Sequence, residues 1–138
     1  MQTSSRCTLS DPPLSPRQKL SALWASLTFC YLYGDYFGLY RPGKLQHMLD
    51  GAGPVGPSSQ SSLLFVALLL AVPGLMVFLS LALPARFVRW FSIGLALFYA
   101  AFVALTMPGA WWFYLAYSSI EIVLCLLIAG VAWRWPRT

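Results

Sequence analysis

Ala110–Trp133, AWWFYLAYSSIEIVLCLLIAGVAW, decides the fold. A single charged residue, Glu121, interrupts this apolar run. At 1.5 Å per residue a helix over it is roughly 36 Å long, enough to cross a hydrocarbon core of about 30 Å. Backbone polar groups in lipid must be paired within their own segment, so the run reads as a helix and not a strand. Working back towards the N-terminus, Phe87–Met107, Leu63–Leu83 and Leu20–Tyr40 read the same way. The expectation is an all-α protein, a four-helix transmembrane bundle spanning residues 19–136. Residues 1–18, with Pro12, Pro13 and Pro16, read as a disordered tail. The apolar run after that tail is too long for the core of a signal peptide.

The rest of the composition agrees. Of 138 residues 59% are hydrophobic and 9% charged, and the mean hydropathy is +0.68. A soluble domain carries about a quarter charged residues. The net charge of +5 comes from basic residues at the ends of the apolar runs, so no nucleic-acid partner is expected. Pro84-Ala85-Arg86 and Pro108-Gly109 are connections short enough to force antiparallel neighbours. Arg6, Arg17, Lys19, Arg86, Arg89, Arg134 and Arg137 fall on one side, against Arg41 and Lys44 on the other. The positive-inside rule then puts both termini in the cytoplasm of a multi-pass inner-membrane protein. Trp24, Trp90, Trp133 and Trp135 are expected to mark the inner interface, and Tyr36, Tyr40, Trp111 and Trp112 the outer one. The long loop, Arg41 to Ser62, reads as a short interfacial helix carrying Leu45, Met48 and Leu49, followed by a flexible connection.

Two of the four acidic residues, Asp35 and Glu121, lie inside predicted spans. A carboxyl group there costs roughly 2.5–3.5 kcal/mol even on the lenient insertion scale, and such residues are generally functional. On the last span Tyr114, Ser118, Glu121 and Cys125 form one polar stripe, with Tyr117 one turn before the acid. On the first, Thr28, Tyr31 and Asp35 share a face. Counted from the cytoplasmic ends, both acids sit roughly 18–23 Å up, so packing of the first and last spans would bring them together. Two carboxyl groups held close in a low dielectric do not both ionise cheaply, and one is expected to keep its proton as a general acid.

Tyr31, Tyr33, Phe98, Tyr99, Phe102, Phe113, Tyr114 and Tyr117 also fall within spans, and aromatic faces stabilise cations. A proton donor, a second carboxylate and aromatic walls suit carbocation chemistry on a lipophilic substrate. Asp35 and Glu121 are the catalytic candidates. Tyr31, Tyr114, Tyr117, Ser118 and Trp111 are the substrate-binding candidates, and His47, in the loop, is a candidate proton relay. Gly34 and Gly38 form a GxxxG, and Ser92, Ala96, Ala100 and Ala104 a small-residue stripe. Either serves close helix packing or a homo-oligomer. Pro73-Gly74 is expected to kink the second span. The cysteines, Cys7, Cys30 and Cys125, share no metal or redox spacing. No P-loop, GxGxxG, HExxH, CxxC pair or GxSxG is present, so neither a metal nor another cofactor is expected.

Several short motifs carry a resemblance: Leu20-Ser21-Ala22-Leu23-Trp24, Tyr33-Gly34-Asp35-Tyr36, Arg41-Pro42-Gly43, Leu83-Pro84-Ala85-Arg86, Arg89-Trp90, Ile120-Glu121-Ile122 and Ala132-Trp133. Over about Leu20 to Pro136 the chain resembles small bacterial four-helix membrane proteins of DoxX-like architecture. More loosely it is similar to bacterial membrane-bound terpene cyclases, compact helical proteins with intramembrane acids. That second likeness implies a cyclase or isomerase acting on a prenylated substrate, with Asp35 as proton donor and Glu121 as its partner. A proton-coupled transporter or channel, and a non-catalytic accessory subunit packed through Gly34 and Gly38, are the alternative expectations.

Overall fold

A computed structural model describes residues 12–54 and 56–136. Arg6, Cys7, Arg137 and most of the expected tail lie outside the described residues. Five helices follow one another: α1 (Pro16–Gly38), α2 (Lys44–Leu49), α3 (Gln60–Ala82), α4 (Ala85–Thr106) and α5 (Trp112–Trp133).

Local chemistry sets the helix ends. Ser15 caps α1: its hydroxyl accepts from the Gln18 amide, while the Gln18 side chain accepts from the Ser15 amide. With Pro16 fixing φ in the first turn, the helix starts four residues before the expected Leu20 and takes in the last part of the expected tail. Ser59 and Ser62 build the same box at the start of α3. Gly109, at φ 76°, turns the chain between α4 and α5, so Ala110 and Trp111 precede the last helix instead of opening it. The stretch expected as a flexible connection contains a hydrogen-bonded turn, with the Gly53 amide donating to the Gly56 carbonyl and the Ser58 amide to the Gly51 carbonyl, both at 2.7 Å. A Cβ at Gly53 would lie 3.1 Å from backbone atoms of Gly56 and Ser58, a tight contact that a side chain would relieve only by shifting the turn.

Three helices, α3, α4 and α5, are long and apolar enough to cross a membrane. α1 matches α3 in length but carries Arg17, Lys19 and Asp35, so of the four expected spans length and composition support three.

α1 lies between α3 and α5, α5 packs on α4, and α4 touches α3 along a thinner seam. Arg17 Nη1 donates to the Leu81 and Leu83 carbonyls at 3.0 and 2.8 Å, tying the start of α1 to the end of α3. Arg89 Nη2 donates to the Trp133 carbonyl at 3.2 Å, tying the start of α4 to the end of α5. Both pairs are therefore antiparallel, and α1 begins where α5 finishes. The core at that end holds Leu20, Trp24 and Leu27 from α1, Val88 and Ala96 from α4, and Ile128 and Ala132 from α5, none of them exposed.

Trp24 corrects an expectation. It lies in this core and not in an interfacial belt. Its ring meets Tyr99 edge-on at 6.5 Å, and its Nε1 donates to Ser92 Oγ at 3.4 Å. An indole N–H that finds a partner inside the protein need not reach the headgroups. Trp90, Trp133, Trp111, Trp112, Tyr36 and Tyr40 are exposed, as belt residues should be. Of the small-residue stripe on α4, Ser92 and Ala96 are buried within this chain, whereas Ala104 is exposed.

Pro73 sits inside α3 without ending it. A proline has no N–H to give the carbonyl four residues earlier, here Leu69. Tyr99 of α4 supplies the missing donor: its hydroxyl bonds the Leu69 carbonyl at 2.5 Å. The buried residues of α3 are Pro73, Met76 and Ser80. All lie at or beyond the proline, so the first half of α3 covers its neighbours far less than the second half does.

Candidate functional site

Where the first half of α3 packs least, a cavity of about 90 Å³ remains among the four long helices. Tyr31, Gly34 and Asp35 line it from α1, Leu69 and Leu70 from α3, Tyr99, Phe102, Val103 and Thr106 from α4, and Tyr114, Tyr117 and Glu121 from α5. The packing of α1 on α5 brings both intramembrane acids of the sequence analysis to one void.

They occupy it differently. Glu121 is 6% exposed, in the buried stripe Ser118, Glu121, Cys125, Ile128 and Ala132 of α5. Helical side chains lean towards their own N-terminus, which carries its carboxyl group up towards α1. Gly34 makes room for it. A Cβ there would lie 3.8 Å from Glu121 Oε1 and 4.0 Å from Tyr117 Cβ. Asp35, by contrast, is exposed. The buried positions of α1 are Leu20, Trp24, Leu27 and Gly34. One residue further turns a side chain by roughly 100°, out of that stripe. Two expectations are corrected. The acids are not both buried, and Asp35 lies only three residues from the end of α1 whereas Glu121 is nine residues into α5. Asp35 stands at the mouth of the cavity and Glu121 inside it.

The polar groups around the acids are only partly engaged. Tyr114 and Thr106 share a hydrogen bond at 2.8 Å across α4 and α5. The Tyr31 hydroxyl is buried and has no hydrogen-bond partner among the described residues. A buried, unpaired hydroxyl on a cavity wall is a place for a ligand or an ordered water. Tyr31, Tyr114 and Tyr117 thus line the cavity as expected from the sequence. Ser118 is buried one turn away, with an unpaired hydroxyl, but is not part of the lining. Trp111 stands outside, 48% exposed, with the Arg41 guanidinium 5.1 Å over its ring. His47 is exposed on α2. Of the aromatic residues read as walls, Tyr33 and Phe98 are half exposed and, like Phe113, take no part in the lining.

The sequence reading counted Tyr99 and Phe102 among the aromatic walls but not among the substrate-binding candidates, and gave Thr106 no role. Tyr99 had a signal: a mid-helix proline frees a carbonyl at position −4, and a tyrosine on a neighbouring helix can satisfy it. Gly34, read as serving close helix packing or an oligomer, makes room for Glu121 within the chain. Gly38 has nothing within 4 Å of a built Cβ. Cys30 and Cys125 are free, and no group of three or more His, Cys, Asp or Glu side chains among the described residues could hold a metal ion.

The profile of DUF6326, a family of unknown function, matches residues 14–138, and the chain belongs to that family. It matches no curated protein and no solved structure. The family match names no activity and bears on neither resemblance drawn from the sequence.

Proposed function

We propose that this member of DUF6326 is a multi-pass inner-membrane enzyme, with α1 as a fourth span and both termini cytoplasmic, that protonates a lipophilic unsaturated substrate. The observation carrying this reading is that Glu121 and Asp35, the two acids of the long helices, line one aromatic cavity. Glu121 is the general acid, since it alone is enclosed. Asp35, at the mouth, exchanges the Glu121 proton with the outside between turnovers. The Glu121 carboxyl gives its proton to one carbon of a double bond. The π pair becomes the new C–H bond, and the cation left on the neighbouring carbon faces Tyr31, Tyr99, Phe102 and Tyr117. Glu121 carboxylate then takes a proton from an adjacent carbon, and that C–H pair forms the displaced double bond. Atoms and electrons balance without a co-reactant. A void of about 90 Å³ is well below the roughly 300–1,000 Å³ of ordinary small-molecule pockets. It suits the reacting end of a lipid better than a whole folded prenyl chain, which favours isomerisation over cyclisation.

The reading is tested by incubating membranes in D₂O and examining extracted lipids by mass spectrometry. The wild type should place one deuterium on carbon in a host or prenylated lipid. Glu121→Gln should lower that labelling by roughly 10²–10⁴-fold, the usual worth of general acid catalysis. Asp35→Asn should lower it less. Equal labelling in Glu121→Gln membranes overturns the proposal.

The small volume and the accessible mouth also favour a second reading, a proton-coupled carrier using the same acids. It predicts acidification of protein-bearing liposomes, lost in Glu121→Gln, and no labelled lipid.

A further inference from the structure

Beside the acid cavity, across Tyr117, lies a second recess. Phe37 of α1, with Tyr40 and Arg41 just beyond its end, lines it with Trp111, just before α5, and Phe113 and Tyr117 of α5. Its volume is about 400 Å³, several times that of the cavity. Tyr117 belongs to both linings and stacks on Phe37 with ring centroids 6.3 Å apart, so one side chain forms the partition.

Charge and shape point to one kind of occupant. The sole charged side chain of the groove is Arg41, held over Trp111 at 5.1 Å. Stacking uses the face of a guanidinium and leaves its N–H edge free for a bidentate anion. Asp50, the acid of the neighbouring loop, is engaged by Gln46 Nε2 at 3.2 Å. The rest of the groove is aromatic and suits a hydrocarbon chain. Glu121 lies ten positions beyond Trp111, roughly 15 Å along the helix. From the recess the route to Glu121 runs past Tyr117.

We propose that the substrate is an amphiphile with an anionic head, a phosphate or carboxylate, held by Arg41 and Trp111. Its chain lies in the aromatic groove and its reacting carbon passes Tyr117 into the acid cavity. This deepens the reading above and rests on it for the fate of the chain. Binding of the head does not depend on it.

The probe is dodecyl phosphate, titrated calorimetrically into the full chain in a neutral detergent, with dodecanol and inorganic phosphate alongside. Dodecyl phosphate should bind, dodecanol at least about tenfold more weakly, and inorganic phosphate should not displace it. Arg41→Gln should weaken dodecyl phosphate about tenfold, and Trp111→Leu by several-fold. Arg134→Gln, at the other end of the molecule, should change nothing. Equal binding of the alcohol, equal losses in Arg41→Gln and Arg134→Gln, or full displacement by inorganic phosphate would each overturn the assignment. Glu121→Gln separates the two proposals: retained binding with unchanged deuterium labelling defeats the acid chemistry and leaves the head site standing. Equal binding of alcohol and phosphate by the wild type, with labelling lost in Glu121→Gln membranes, does the reverse.

Discussion

At the end where α1 begins and α5 finishes, Leu20, Trp24, Leu27, Val88, Ile128 and Ala132 are sealed completely. A few turns towards α2, the same helices enclose a void beside Glu121. The two ends share helix type and apolar character. They differ in α3, whose buried side chains stop at Pro73, and in what fills the centre, a tryptophan at one end and a carboxyl group with tyrosines at the other. One end fixes the helices in place, and the other leaves a cavity.

The contrast can be broken at the sealed end first. Trp24→Ala removes the largest fully buried side chain and leaves Ser92 unpaired. It should cost roughly 3–5 kcal/mol, read as a large fall in melting temperature in detergent. Gly34→Leu acts at the open end, pushing into Glu121 and Tyr117. A loss of roughly 1–3 kcal/mol is expected, with the cavity closed and lipid labelling abolished, while Gly34→Ala, whose Cβ meets only ordinary contacts, should keep both. Tyr99→Phe strips one hydrogen bond from the seam between α3 and α4 and should cost roughly 0.6–1.7 kcal/mol. In Pro73→Ala the Leu69 carbonyl regains a helical donor, so adding Tyr99→Phe to that background should cost measurably less. Equal costs in both backgrounds would show that the tyrosine does not serve the proline. Gly38→Leu should shift stability by less than about 0.5 kcal/mol, because nothing lies near it. A change of mass in native mass spectrometry on that substitution would instead reveal a partner chain there.

Helices α3, α4 and α5 were legible from the sequence because long apolar runs mark them whatever the packing. Glu121 was legible too, since Ser118, Glu121 and Cys125 mark the inner face of α5 against an apolar background. Asp35 was misplaced by one step around the helix, and Trp24 was sent to the interface. Both errors have one cause. Lipid is as apolar as a protein core, so periodicity does not separate the inner face of a membrane helix from the outer. On α1 the polar residues Thr28, Tyr31 and Asp35 suggested a face, while the true one runs through Leu20, Trp24, Leu27 and Gly34. The start of α1 was missed for a local reason, because its Ser15–Gln18 box lies in a stretch that composition marks as tail.

The bond from Tyr99 to the orphaned Leu69 carbonyl ties the first half of α3 to α4 beside the cavity. Pro73 is the natural hinge of that helix, and this one hydroxyl is the latch holding its first half against α4. A guest that entered from the bilayer between α3 and α4 would have to compete for that latch. Lipid thickness or lateral pressure that moves the first half of α3 would strain it from outside. Swapping short-chain for long-chain lipids should therefore retune access to Glu121 without altering a single atom of the protein.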